Sequence, residues 1–245
     1  MPKISERLAV HVDSVRKTFV LHHTHSLKES FVALLRRKRL TSTFNALESI
    51  SIDIHEGESV ALLGLNGSGK STLLKLISGV LRPDSGEIGV RGRVAGLIEV
   101  GAGLHPDLSG RENVYLNAAI LGMTREETEA RFDEIVEFAG IAPFIDQEVK
   151  HYSSGMFLRL AFAVAIHTEL DVLLVDEILA VGDEPFQKKC LARIAELQQA
   201  GKTLVVVSHD LGMVQRVCER GIVLRKGEVV FDGPSAEAVE FMRAS

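Results

Sequence analysis

The sequence predicts an α/β fold in which a mixed sheet carries a phosphate-binding loop and is interrupted by a block of helices. Residues 172–175 and 204–207, the latter in a predicted strand at residues 203–207, are continuously apolar, which is typical of parallel strands covered by helices on both faces. A third apolar run, residues 60–63 of a predicted strand at residues 59–63, leads directly into the glycine-rich stretch GLNGSGKST. Between these strands, about residues 104–168 show helical spacing of apolar residues.

The overall composition indicates an ordinary globular protein that we expect to form a single domain, residues 1–245. Of its 245 residues, 46% are hydrophobic and 25% are charged, and the formal net charge is −5. An acidic chain has no general attraction to nucleic acid, so no nucleic-acid partner is expected. The longest apolar candidate, residues 160–166, is far shorter than the roughly 18 residues that a membrane span needs. We therefore expect another chain to supply the membrane part of any membrane process.

Further strands are predicted on both sides of the helical block. They lie at residues 8–12, 50–54, 87–90, 222–224 and 228–231, with a turn at Lys226 and Gly227 between the last two. A helix is predicted at residues 71–78, ended by Gly79. The predicted core thus comprises about residues 8–103 and 169–233, and the helical subdomain comprises about residues 104–168.

Two capping boxes mark where helices begin in this subdomain. Ser109 is followed three residues later by Glu112, and Thr124 by Glu127. In such a box the hydroxyl and the carboxylate each accept a hydrogen bond from a backbone amide at the start of the helix. We therefore expect one helix to begin after Ser109 and another after Thr124.

A separate amphipathic helix is predicted at about residues 26–40. Ser26 and Glu29 form another capping box, and an apolar stripe ends in a basic run, residues 36–39. Two interpretations stay open. The run is either a solvated helix end or a surface that faces lipid headgroups or an anionic substrate.

The stretch from Gly64 fits the phosphate-binding pattern G-x-x-x-x-G-K-S. Glycines let backbone amides converge on phosphate oxygens, and the following helix contributes its positive N-terminal end. Lys70 is expected to reach the β- and γ-phosphates, and Ser71 to bind Mg²⁺. The predicted nucleotide-binding residues of this stretch are Gly64, Leu65, Asn66, Gly67, Ser68, Gly69, Lys70, Ser71 and Thr72.

Two adjacent carboxylates follow the apolar run at residues 172–175. Asp176 at the strand end is predicted to bind Mg²⁺ through water, and Glu177 to orient and polarise an attacking water. Together with Lys70 and Ser71, these residues predict a nucleoside triphosphatase.

The motif YSSGM at residues 152–156, just before the helical run at residues 157–166, carries a more specific resemblance. With the motifs above, it resembles the LSGGQ-type signature of the nucleotide-binding subunit of an ABC transporter. Ser153 and Gly155 match that pattern, whereas Tyr152, Ser154 and Met156 depart from it. The resemblance implies ATP and Mg²⁺ as ligands, and a P-loop core of the ABC ATPase type with an inserted helical subdomain.

The same resemblance assigns roles to further residues. Asp183 matches the acid of the family's D-loop, and His209 matches the switch histidine that contacts the γ-phosphate. Glu99 stands where the family has a glutamine that contacts Mg²⁺ or the attacking water. Phe19 is the expected adenine-stacking aromatic, with Phe44 as the alternative.

The family pattern also implies that two copies of the chain work together. Ser153 and Gly155 of one copy are expected to complete the ATP site of the other, so that two ATP molecules lie between head-to-tail copies and hydrolysis loosens them. This implication comes from the resemblance and not from the spacing of the residues.

A narrower resemblance covers most of the chain. The motifs at residues 90–94, 99–106 and 108–113 are similar to those in the ATPases of bacterial polysaccharide exporters, the Wzt and teichoic-acid group. Their pattern implies two copies of a polytopic membrane permease, a lipid-linked glycan handled by that permease, and a peripheral position on the cytoplasmic face of the membrane. The helix at residues 26–40 corresponds to their gate helix. Because the chain stops at Ser245, we expect no C-terminal carbohydrate-binding domain.

Two other functions remain as alternatives. A soluble ABC ATPase acting on ribosomes or nucleic acid would resemble tandem ATPase domains or contain long insertions, which this sequence lacks. A nucleotide-binding regulator without turnover would not need Glu177 and His209, and both are present.

Overall fold

Two sheets organise the computed structural model, which describes residues 8–22, 41–97, 103–176 and 183–244. In chain order the strands are β1 (Leu8–His22), β2 (Thr41–His55), β3 (Ser59–Leu63), β4 (Ser85–Val90), β5 (Val94–Leu97), β6 (Val172–Asp176), β7 (Thr203–Val207), β8 (Arg220–Arg225) and β9 (Glu228–Pro234). The smaller sheet is antiparallel, in the order β2-β1-β4. The larger sheet has the order β5-β6-β7-β3-β8-β9.

The larger sheet is the mixed sheet that the sequence predicts. Strands β5, β6, β7, β3 and β8 are parallel neighbours, and β9 returns antiparallel to β8. All residues of β3 and β7 are buried. Both strands are therefore covered on both faces, as their continuously apolar sequences indicate.

Seven helices surround the sheets in the described part of the chain. They are α1 (Lys70–Ile77), α2 (Gly110–Ile120), α3 (Arg125–Ala139), α4 (Ser154–His167), α5 (Glu184–Gln199), α6 (Leu211–Val217) and α7 (Ser235–Ala244). Short 3-10 turns lie at Ala142–Phe144 and Val149–His151. None of the described helices is both long and apolar enough to cross a membrane.

Both capping boxes of the helical block form as predicted. The Ser109 amide donates to the Glu112 carboxylate at 2.8 Å, and the Glu112 amide donates to the Ser109 hydroxyl at 3.2 Å. Thr124 and Glu127 make the same pair of hydrogen bonds at 2.7 and 3.1 Å. Helices α2 and α3 thus begin where the local sequence places them.

Helix α4 joins the helical block to the sheet. One set of its buried side chains, including Phe162 and Ile166, belongs to the apolar cluster around β6 and β7. Another set, including Leu160 and Val164, packs against α2 and α3. Because α4 is apolar on nearly all sides, it packs against the sheet and against the helical block at the same time.

The structure differs from the sequence prediction at three strands. Strands β1 and β2 each have 15 residues, much longer than the predicted residues 8–12 and 50–54, because the two strands stay paired from Leu8 opposite His55 to His22 opposite Thr41. The predicted strands also omit β5, a four-residue strand with a central glycine. The predicted helix at residues 26–40 lies outside the described residues.

Candidate functional site

Three predicted parts of the nucleotide site meet at the carboxyl edge of the parallel strands. The phosphate loop follows β3, Asp176 ends β6, and His209 comes two residues after β7. Strand β7 lies between the other two, so that Leu62 and Asp176 are both Cα partners of Val207. With about 4.8 Å between neighbouring strands, the ends of β3 and β6 are about 10 Å apart. A ligand that crosses this edge can contact all three parts.

The glycines of the phosphate loop are required by its own crowded backbone. Gly64 has φ +144° and Gly69 has φ +109°, both values that side-chain-bearing residues rarely adopt. A Cβ at Gly64 would collide with the Leu224 carbonyl oxygen, and one at Gly69 would lie 2.6 Å from the Ala46 carbonyl oxygen. The loop is thus held from behind by β2 and β8.

Two polar side chains of the loop are buried. The Lys70 ammonium donates to the carbonyl oxygens of Gly64 at 2.8 Å and Leu65 at 3.2 Å. The Ser68 hydroxyl is buried with no hydrogen-bond partner among the described residues. Helix α1 begins directly after Gly69 without a side-chain cap. Because a charged phosphate oxygen is a stronger acceptor than a carbonyl, the loop is equipped to bind phosphate.

The predicted metal ligands lie on two sides of this loop. Ser71 is exposed in the first turn of α1, and Asp176 is half-buried at the end of β6. Hydroxyl and carboxylate oxygens suit Mg²⁺, which usually keeps water and phosphate oxygens in its remaining positions. No group of three or more His, Cys, Asp or Glu side chains is placed to hold a metal within the described ranges. Glu99 and Glu177 lie outside those ranges.

The YSSGM motif forms the start of α4. Ser153 caps the helix, accepting a hydrogen bond from the Met156 amide at 3.2 Å. Tyr152, which departs from the family pattern, donates its hydroxyl proton to the Phe144 carbonyl oxygen at 2.8 Å and so anchors the turn before the helix. Ser153 and Ser154 are exposed, and Gly155 is half-buried.

Gly155 is not required by contacts within the chain. It lies in regular helix, and a Cβ there would meet only the Ser153 hydroxyl oxygen, at an ordinary distance of 3.8 Å. Glycine costs stability inside a helix relative to alanine. The described residues therefore give no reason for a glycine at this position.

Asp183, at the start of α5 in the core, is joined to α4 of the helical block by Arg159, a residue that the sequence analysis did not identify. Its carboxylate caps α5 by accepting from the Phe186 amide at 3.2 Å, and pairs with the Arg159 guanidinium at 2.8 Å. Arg159 lies on α4 and its guanidinium also covers the Phe186 ring, 5.2 Å from the centroid. The remaining D-loop residues, 180–182, lie outside the described ranges.

Both candidate aromatics lie on the far part of the β1–β2 hairpin. Phe19 and Phe44 are directly opposite Cα partners, so their side chains share one face of the hairpin. Phe44 is 46% exposed and Phe19 is half-buried. Phe44 comes two residues before Ala46, whose carbonyl oxygen abuts Gly69. The aromatic pair is thus about 7 Å along the strand from the back of the phosphate loop.

Comparison with known proteins points to one family. A family model described as ABC transporter matches residues 47–180. The chain is 47% identical over 95% of its length to the O-antigen export system ATP-binding protein RfbB of Myxococcus xanthus, but spans only 54% of that relative. It is 42% identical to an RfbB of Klebsiella pneumoniae, covering 95% of this chain and 91% of the relative. The teichoic acids export ATP-binding protein TagH of Listeria monocytogenes is 40% identical, with 97% of this chain and 70% of the relative covered.

The fold is also found in a solved structure. A dimeric ATP-binding cassette in a post-hydrolysis state, bound to ADP and Pi, superposes with a TM-score of 0.75 at 25% identity. The match covers 92% of this chain and 98% of that one.

Proposed function

Because this chain belongs to the ABC transporter family, we propose that it is the ATP-hydrolysing subunit of a system that exports lipid-linked polysaccharide. The observation that carries the proposal is the meeting of the phosphate loop, Asp176 and His209 at one sheet edge, while the start of α4 is exposed elsewhere. The names of the relatives, O-antigen and teichoic acid export proteins, support the export of a glycan.

In the proposed site the phosphate loop binds the triphosphate of ATP. The backbone amides from Leu65 to Lys70 donate to the phosphate oxygens, and Lys70 exchanges the Gly64 and Leu65 carbonyls for the β- and γ-phosphates. Ser71 and Asp176 would hold Mg²⁺, which neutralises charge on the phosphate oxygens when it is bound. Asn66, Ser68 and Thr72 complete the proposed binding stretch.

Hydrolysis in this proposal depends on groups around the γ-phosphate. Glu177, directly after Asp176, orients and polarises the attacking water, and His209 contacts the γ-phosphate from the end of β7. Glu99, in the place of the family's glutamine, contacts Mg²⁺ or the water. Phosphoryl transfer needs mostly positioning and charge stabilisation, so no further protein chemistry is required.

The second half of each site is proposed to come from a second copy of the chain. Ser153 is exposed at the N-terminus of α4, and Gly155 leaves room that none of the residues in the described ranges fills. A phosphate placed there would lie at the positive end of the helix dipole, which stabilises a negative charge. Asp183, held by Arg159, is proposed to take part in the same contact between copies. The dimeric state of the similar solved cassette supports this arrangement.

The ATPase dimer is tested with Glu177→Gln. This variant should bind ATP but hydrolyse it at least about 100-fold more slowly, since the positioned base is lost. It should accumulate as an ATP-bound dimer on size-exclusion chromatography with light scattering. Lys70→Ala, in contrast, should weaken ATP binding and stay monomeric. A monomeric Glu177→Gln protein at saturating ATP and Mg²⁺ would contradict the proposed sandwich.

Export is tested by the position of the protein in the cell. We propose that it binds two copies of a polytopic permease at the cytoplasmic face of the membrane, and that the permease handles the lipid-linked glycan. The chain should then sediment with membranes only when that permease is co-expressed. Persistent sedimentation with ribosomes in its absence would favour the alternative, a soluble ATPase acting on ribosomes or nucleic acid.

The basic run at residues 36–39 is proposed to contact the diphosphate of the glycan carrier or the lipid headgroups. This segment lies outside the described residues, so the proposal depends on its sequence and family position. Replacing all four basic residues by Gln should reduce export while ATP binding and protein level stay unchanged. Normal export by this variant would refute the role.

A further inference from the structure

A second concave site lies at the end of the sheet opposite the nucleotide site. This cleft has a volume of about 490 Å³ and is lined by residues directly before β5, β6 and β7, together with residues of α3 and α5. We name it the hinge cleft, because it lies where α4 leaves the helical block and enters the core. Its charged lining residues are Arg93, Arg131, Glu169, Asp171, Arg193 and Lys202.

The hinge cleft is cationic in an acidic protein. Four cations and two carboxylates line it, a surplus of two positive charges in a chain whose net charge is −5. Glu169 is paired with Arg131 at 2.9 Å, and Asp171 with Lys202 at 3.2 Å. The carboxylates of the lining are thus already paired with two of its four cations.

The other two cations are paired with carboxylates that lie outside the residues lining the cleft. Arg93 pairs with Glu127 at 3.4 Å, and Arg193 with the exposed Glu196 at 2.7 Å, through one terminal nitrogen in each case. The Nε of Arg193 is buried and has no hydrogen-bond partner among the described residues. A buried donor without a partner is costly, and native proteins commonly satisfy such a group with an ion or a water.

The positive field of the cleft reaches a buried side chain beside it. The His167 ring is buried at the end of α4 and bonds the Ala163 carbonyl oxygen at 2.7 Å. Burial lowers the pKa of His167 most, and the charges of Arg193 and Arg131 lower it too, whereas the hydrogen bond to Ala163 and the charge of Glu134 act in the opposite direction.

The cations come from both parts of the molecule. Arg131 lies on α3 of the helical block and donates to the His167 carbonyl oxygen at 2.9 Å, whereas Arg193 lies on α5 of the core. Guanidinium groups bind phosphate oxygens through two parallel hydrogen bonds. The volume of the cleft also lies within the range of small-molecule sites. One anion bound to both arginines would tie the helical block to the core.

We propose that the hinge cleft binds a small soluble phosphate-bearing anion, separate from the ATP bound at the phosphate loop. The bound anion bridges Arg131 and Arg193 and restrains movement of the helical block. This site does not depend on the proposed export function, because none of its residues belongs to the nucleotide site.

The proposal is tested by isothermal titration calorimetry of the full chain with pyrophosphate, in the presence of ADP and without Mg²⁺. Arg193→Gln and Arg131→Gln should each weaken binding at the cleft about ten-fold or more, because each removes a charged donor. Arg216→Gln removes the same charge from the exposed face of α6 and is the control, which should bind like the unaltered protein. ADP and pyrophosphate compete at the phosphate loop equally in the unaltered protein and the three variants. Any difference in pyrophosphate affinity among these four proteins therefore comes from the cleft.

Equal affinity of all four proteins for pyrophosphate would overturn the proposal. Should Arg193→Gln fail to fold, Arg193→Lys keeps the charge but loses the two parallel hydrogen bonds, and it should still weaken binding. Binding to vesicles that contain phosphatidylglycerol distinguishes a lipid headgroup from a free soluble anion as the source of the phosphate. Binding to vesicles that depends on Arg193, without binding to free pyrophosphate, would overturn the assignment to a soluble anion.

Discussion

The phosphate loop and the start of α4 are both glycine-containing helix N-termini, yet their glycines have different causes. At the phosphate loop, Gly64 and Gly69 have positive φ and touch the backbone of Leu224 and Ala46, so their own chain requires them. At α4, Gly155 has regular helical geometry and free space around it. The first site is formed within one chain, whereas the second leaves room for a group from another molecule.

The largest effect is expected where the chain itself enforces glycine. Gly64→Ala places a methyl group against the Leu224 carbonyl oxygen, at a φ that alanine avoids. Displacing the loop should abolish measurable ATP binding, a loss of about 100-fold or more, and lower the free energy of unfolding by about 2–4 kcal/mol. Fluorescence titration with a labelled ATP analogue and urea unfolding measure the two effects.

A control separates the collision from the strain of positive φ. Gly201 has φ +74°, a Cβ added there would meet no atom within 4 Å, and the residue lies far from the phosphate loop. Gly201→Ala should cost about 1 kcal/mol of stability and leave ATP affinity unchanged. If Gly64→Ala binds ATP as well as Gly201→Ala does, the loop is not held in the way described.

The second prediction concerns the glycine that its own chain does not require. Gly155→Ala should leave the free energy of unfolding unchanged or raise it by up to about 1 kcal/mol, because alanine is the better helix former. Binding of ATP to the monomer should also be unchanged. Turnover and ATP-dependent dimerisation should fall about ten-fold or more, since the methyl group fills the space that the proposed dimer assigns to the partner's nucleotide.

The measurements for Gly155→Ala are steady-state ATP hydrolysis, light scattering with ATP, and thermal unfolding of the same preparation. A variant that is less stable and equally active would reverse the expected pattern. In that case the glycine would serve its own fold, and the contrast with Gly64 would disappear.

Sequence reasoning identified the features that depend on neighbouring residues. The capping boxes at Ser109 and Thr124, the turn at Lys226 and the loop from Gly64 are all set by short spacings, and their local geometry forms as expected. The mixed sheet follows from its apolar strands and is confirmed by the similar solved structure.

Features that join distant parts of the chain could not be predicted. The pair of Arg159 with Asp183 and the cations of the hinge cleft come from separate elements, and no local pattern connects them. Strand β5 was missed because four residues with a central glycine give no clear periodicity, and because β6, its partner, is far along the chain. The roles of Glu99 and Glu177 stay predictions, since both lie outside the described residues.

The third prediction tests the ion pair that joins α4 of the helical block to the start of α5 in the core. Arg159→Gln removes the ion pair that joins α4 to Asp183 but keeps the helical propensity of the site. Asp183 still caps α5 through the Phe186 amide, so the fold should be retained. An ion pair with an exposed partner adds at most about 1 kcal/mol to stability, but Asp183 is no longer held in place for the proposed contact between copies, so ATP hydrolysis should fall about ten-fold.

Arg159→Lys restores the charge and provides the control for this prediction. It should recover part of the lost turnover, while ATP affinity is the same in both variants. Loss of ATP binding in Arg159→Gln would indicate damage to the phosphate loop and would contradict a role in joining the two regions.

The smallest effect is expected at the aromatic pair, which extends the comparison to a third surface. Phe44 is more exposed than Phe19, and lies on the strand that touches Gly69 through Ala46. A base stacked on an aromatic ring gains about 1–3 kcal/mol, and Phe19 beside it keeps part of that surface. Phe44→Ala should therefore weaken the affinity for ATP about five-fold, measured by titration, while the affinity for pyrophosphate stays unchanged because pyrophosphate has no base.

Phe19→Ala is the matched variant, since the two rings are directly opposite across the hairpin. A larger loss in Phe19→Ala would make Phe19 the stacking residue, whereas no loss in either variant would place the adenine away from this hairpin.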